Sequence, residues 1–106
     1  MLDLTKIYKE KYYEIKLIDG TELKLKRPTQ AMVEYTLNLR DLKDNDKETL
    51  HAITGMFVRV LNRNTEDRVF TNEEIDNEYD TQIIAFVIQD YFEFWQKDVN
   101  EKVDFQ

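Results

Sequence analysis

The chain has no cysteine, one proline, two glycines and a single histidine. Without thiols there are no disulfides and no thiolate chemistry, and such usage fits a reducing compartment. So little glycine and proline leaves scant room for loops or for a glycine-cradled phosphate site, and points to a mostly helical domain. The longest unbroken apolar run, residues 83 to 88, falls far short of the ~20 residues that a membrane span requires. The first residues show neither the basic nor the apolar region of a signal peptide. The expectation is an intracellular protein with no membrane partner. A net charge of -7 repels a phosphate backbone at long range, so nucleic acid is not an expected partner. The basic residues Lys24, Lys26 and Arg27 alternate with Leu23 and Leu25 and read as the solvated face of a strand.

What is present fits one modest core. At 106 residues, 42% apolar and 35% charged, a single domain spanning 1–106 is expected, burying roughly two thirds of its unfolded surface. The fold class is α+β, mostly α, with an N-terminal β-hairpin packed on a small bundle of three to four helices. Residues 1–11 form an N-terminal arm, 12–27 the hairpin, 28–96 the helical part and 97–106 a polar tail that frays. The arm mixes Leu2, Leu4, Ile7 and Tyr8 with charge and no clean period, compatible with a short helix, an edge strand or an ordered arm.

Alternation decides the hairpin. Tyr13, Ile15 and Leu17 alternate before Asp19-Gly20, and Leu23 and Leu25 after it. A two-residue loop would set Ile15 opposite Lys24 and put the two apolar sets on opposite faces. A three-residue loop of Ile18, Asp19 and Gly20, with Gly20 left-handed, instead pairs Ile15 with Leu23 and Tyr13 with Leu25. A two-stranded ribbon is marginal alone, so its apolar face is expected against helices.

Pro28 ends the second strand and suits a first helical turn, predicting a helix to about Lys43. Its main stripe is Met32, Tyr35, Leu39 and Leu42, while Val33 and Leu37 lie near the opposite side. That second pair is explained either by a sandwich between the hairpin and other helices or by docking. The next helix carries Leu50, Ile53, Phe57, Val60 and Leu61 on one stripe, with Asp46 as a possible cap and His51 and Arg59 pointing elsewhere. Residues 62 to 68 read as an exposed loop. Thr71 is placed as an N-cap, with Glu74 completing a capping box and Phe70 and Ile75 spaced as a hydrophobic staple. Ile84, Val87, Ile88, Tyr91 and Trp95 form the last stripe. Phe86 lies among the polar residues opposite it, with Ile83 and Phe94 on its flank, a surplus explained by burial in a subunit contact or against the first helix, or by contact with a client protein.

Catalytic signatures are missing. His51 has no second histidine, cysteine or HExxH partner and reads as a solvated helical residue. Asp44-Asn45-Asp46 with Glu48 lacks the glycine and distal glutamate of a calcium loop. The acids Glu73, Glu74, Asp76, Glu78 and Asp80 favour a helix start through its dipole. A hydrolytic pair among them would need an apolar cleft to raise one pKa. No enzyme, no cofactor and no metal site is expected.

The order of parts carries a resemblance. The hairpin Tyr13-Glu14-Ile15-Lys16-Leu17 to Leu23-Lys24-Leu25 is followed by Pro28 opening a helix. Then come Val60-Leu61-Asn62-Arg63-Asn64, Val69-Phe70-Thr71 and Ile88-Gln89-Asp90-Tyr91-Phe92-Glu93-Phe94. Over residues 12 to 96 the chain resembles the small tail assembly chaperones of long-tailed, siphovirus-type bacteriophages of Gram-positive hosts. The resemblance implies a helical, non-enzymatic protein of the host cytoplasm. It would bind the tape measure protein and keep it soluble until tail-tube subunits polymerise around it. It also implies a longer, frameshifted form that recruits the tail-tube protein, of which this chain would be the short form. Candidate contacts are Ile83, Phe86 and Phe94, then Val33 and Leu37; the same surplus also suits a homo-oligomer. Two other readings are a structural tail component of the virion and a small acidic regulatory adaptor.

Overall fold

In the computed structural model, residues 1–7, 11–39 and 47–103 are described, and five helices accompany one hairpin in the order α1 (Leu4–Ile7), β1 (Tyr13–Lys16), β2 (Glu22–Leu25), α2 (Gln30–Leu39), α3 (Lys47–Leu61), α4 (Asn72–Glu78) and α5 (Thr81–Val103). The α+β, mostly α architecture expected from the sequence is the one found. Within the N-terminal segment, Leu4–Ile7 form a one-turn helix, α1, whose first amides are held by Asp3: its Oδ1 accepts from Thr5 N at 3.0 Å and its carbonyl from Lys6 N.

β1 and β2 pair antiparallel with Ile15 opposite Leu23 and Tyr13 opposite Leu25, the register that the alternation demanded. The turn is Ile18-Asp19-Gly20. Leu17 N donates to Thr21 O, Gly20 N to Leu17 O, and Thr21 N to the Asp19 carboxylate at 2.9 Å. Gly20 has φ +89°, a left-handed conformation that a side chain would strain. With that register Leu17, Leu23 and Leu25 all enter the core.

Pro28 does not occupy the first helical turn. Thr29 caps α2 instead, its hydroxyl accepting from Met32 N at 3.3 Å, so the proline sits just before the cap. The expected extension to Lys43 and the Asp46 cap lie outside the described residues, as does the acidic run 44–46. Against α3, α2 packs closely because residue 55 is glycine: a Cβ there would meet the Tyr35 hydroxyl at 3.1 Å, the same hydroxyl that donates to Ala52 O.

The core is one cluster built by the hairpin, Met32 of α2, the second half of α3, Phe70, Ile75 and the inward stripe of α5. α3 and α5 pack most extensively. Phe57, Val60 and Leu61 are buried as expected, joined by Met56, whereas Leu50 is exposed at the start of α3. The Thr71 hydroxyl accepts from Glu74 N at 3.3 Å. Phe70 and Ile75 are both buried, as a staple requires. The helix that opens there lasts only to Glu78. Asp80 starts another, its carboxylate accepting from Ile83 N at 2.9 Å and its carbonyl from Ile84 N.

Two expectations are corrected. Residues 62 to 68 are not simply an exposed loop, because Asn64 is buried and all its side-chain hydrogen bonds go to backbone groups. Its Nδ2 donates to Leu61 O and Arg68 O, and its Oδ1 accepts from Glu66 N and Arg68 N. Nor does the chain fray at Lys97: α5 continues to Val103 and Asp98 is buried.

Candidate functional site

Helical spacing alone brings Ile83 and Phe86 together, one turn apart on α5. They are 47% and 67% exposed, on a chain whose core already holds fifteen buried apolar side chains among the described residues. Asp90 and Gln89 follow on the exposed surface of the same helix. Val33 is also exposed, but on α2, a different helix that packs on α3. The interpretation of α2 as a helix covered on both sides therefore fails at Val33. The side chain of Leu37 lies outside the described residues.

Phe94 belongs elsewhere. Its ring stands edge-on to Tyr13, with centroids 5.4 Å apart, and to Trp95 at 5.0 Å, while Lys11 Nζ lies 5.4 Å from its centroid. An aromatic on the flank of a helix is captured here by the first residue of β1, so its surface is largely spent inside the monomer. Phe94 thus packs between hairpin and helix and stays only partly exposed, which leaves Ile83 and Phe86 as the more accessible pair.

Around that aromatic group is the polar cluster that sequence reasoning missed. The Tyr13 hydroxyl donates to Asp90 at 2.6 Å. Tyr91 stacks edge-on to Tyr13 and donates to Lys26 O. Arg27 pairs with buried Asp98 at 2.6 Å and lies with its guanidinium 4.6 Å from the Trp95 ring centre. Lys11 reaches the other Asp98 oxygen at 3.1 Å. Arg63 donates through Nε and Nη2 to Arg27 O. These contacts tie the hairpin, and Lys11 just before it, to α5 or to the residues that follow α3. The arrangement holds α5 in place.

Burial pushes the Tyr13 phenol up, and the Asp90 carboxylate pushes it further. Burial also raises Tyr91, against the opposing pull of the Arg63 and Arg27 guanidinium groups. Stability conferred by a raised phenol is complete below the unfolded value of about 10 and is lost above it, because the unfolded chain releases its proton first. An alkaline titration should therefore show phenolate absorbance from Tyr13 and Tyr91 appearing together with loss of helical circular dichroism. Ionisation of Tyr13 or Tyr91 at full helicity, resolved from the other four tyrosines by Tyr13→Phe and Tyr91→Phe, would contradict this.

The acids considered for hydrolysis, Glu73, Glu74, Asp76, Glu78 and Asp80, are all exposed. A shallow groove of about 590 Å³ lies between α2, α3 and α4, lined by Tyr35, Leu50, His51 and Asp76 among others. His51 faces solvent there. Among the described residues no three histidine, cysteine or acidic side chains cluster as metal ligands, and no helix is long and apolar enough to cross a membrane. No protein-family model, curated protein or solved structure matches this chain.

Proposed function

We propose that the protein is a tail assembly chaperone of a long-tailed bacteriophage, which binds the tape measure protein in the host cytoplasm and keeps it soluble before the tail tube polymerises. The observation that carries the proposal is the exposed pair Ile83 and Phe86 on α5, left over after the core is complete. A large aromatic in water beside an isoleucine is costly unless another surface covers it. The expected client is a long helix-rich chain with apolar stripes, and one such stripe laid along α5 would cover the pair. Net charge of -7 keeps the complex from aggregating. The order of hairpin, proline-led helix, Asn62-Arg63-Asn64 turn and aromatic last helix supports the same reading. The mechanism is coverage, with no bond made or broken.

Co-expression with the tape measure protein tests it. Phe86→Asp should leave the fold intact, since the side chain projects into solvent, yet weaken binding by about 2 kcal/mol, roughly thirtyfold in Kd, and send the client into the pellet. A client equally soluble with Phe86→Asp rejects this contact face. A client equally soluble without the protein rejects the function.

A further inference from the structure

The two edges of the hairpin are treated differently. Along β2 the outward groups of Lys24 and the Lys26 amide are satisfied: Thr65 N donates to Lys24 O, Lys26 N to Arg63 O, and Lys24 N to the Glu66 carboxylate. Along β1 the outward groups belong to Glu14 and Lys16. Leu17 with Thr21 is a hydrogen-bonded pair, so Ile15 with Leu23 and Tyr13 with Leu25 are too, and the residues between them turn their amides and carbonyls away from β2. Among the described residues nothing takes these groups. The inner side chains agree: Leu23 and Leu25 of β2 are sealed, whereas Tyr13 and Ile15 of β1 are only partly buried.

We infer that the occupant of this edge is β1 of a second copy of the chain, paired antiparallel about a twofold axis at Ile15. The charges choose that occupant. Such pairing sets Glu14 opposite Lys16 of the copy and Lys16 opposite Glu14, with their amides and carbonyls exchanging hydrogen bonds. Within one chain Glu14 already faces Lys24, and Lys16 faces Glu22. Across the resulting four-stranded sheet, each outer row reads Lys24, Glu14, then the copy's lysine at 16 and glutamate at 22, so every neighbour is opposite in sign. A strand edge protected only against association carries charge of any pattern; this one is complementary to itself. Because the 63–66 segment closes the far edge of β2, pairing stops at two copies and cannot run on into a fibre.

The inference concerns the purified protein alone and does not depend on a client. The interface is small, so sedimentation equilibrium at roughly 0.3 mM is the appropriate regime. There the wild type should show twice the chain mass of 12.9 kDa. Lys16→Glu and Glu14→Lys should each sediment as folded monomers, since each sets like charges face to face in its own dimer. Mixed in equal amounts, with one variant isotopically labelled, they should form the heterodimer by native mass spectrometry, because glutamates at 14 and 16 then meet lysines at both positions. That rescue cannot come from a change within either monomer. A monomeric wild type would overturn the inference, leaving the edge to another chain's extended segment. Single variants that still dimerise, or a mixture that does not, would also overturn it.

Discussion

Asp98→Ala should lower the unfolding free energy by about 3–5 kcal/mol, the usual cost of removing one partner from a buried ion pair. The Asp98 side chain is 1% exposed and that of Arg27 14%, with 2.6 Å between Nη2 and Oδ2. Without the carboxylate, the largely buried Arg27 guanidinium loses its 2.6 Å charge-assisted bond while still held against the Trp95 ring. The loss corresponds to a melting temperature on the order of 15 °C lower for a domain of this size. Lys11→Ala should cost under about 1 kcal/mol, because its side chain is 43% exposed and the pair is screened by water. Replacing both members of the inner pair, Arg27→Met with Asp98→Leu, should recover much of the loss, since no charge is then left buried. Denaturant unfolding of the variants measures all of this. A loss below about 1 kcal/mol for Asp98→Ala would show that the pair does not clamp the hairpin onto α5.

Asp98 also shows where one-dimensional reading stops. Ile84, Ile88, Tyr91, Trp95 and Asp98 keep a single helical stripe, spaced four, three, four and three. A search for apolar periodicity ends the stripe at Trp95 and takes residues 97–106 for a tail. The charged residue that continues the stripe needs Lys11 and Arg27, which lie far away in sequence. The hairpin register, by contrast, was legible because a one-residue slip would have turned every leucine outward. The Thr71 cap was legible because its partner lies three residues on. The break at Tyr79-Asp80 was hidden by the cap at Thr71, although Asp80 is itself a good N-cap residue. For the candidate surface, Ile83 and Phe86 stand out as a surplus over what one helix stripe buries. Phe94 has the same signature, and the positions of Tyr13 and Trp95 cover part of it. Val33 shows that a second apolar side on a helix need not be covered within the monomer.

The residues that carried the resemblance in the 60 to 71 stretch turn out to act on the backbone, and Asn64→Ala should reveal how much depends on them. Asn62 grips Phe70 through both its N–H and its C=O, at 2.7 and 3.2 Å. Asn64 holds Leu61, Glu66 and Arg68 through four bonds of 2.8 to 3.0 Å. No other residue type presents two donors and two acceptors of that reach, and Asp67 must adopt φ 59° for the loop to close around it. Removing the amide leaves several inward backbone groups without partners, an expected cost of about 3 kcal/mol. Asn64→Asp, which keeps the acceptors and loses the donors, should fall between. The larger consequence is topological. With the loop released, Thr65 and Arg63 no longer cover the outer edge of β2, and the hairpin then has two open edges in place of one. A closed pair becomes an open-ended series, so Asn64→Ala should sediment as species heavier than a dimer under conditions where the wild type does not. A variant that is destabilised yet never exceeds two copies would show that the β2 edge is closed by something other than this loop.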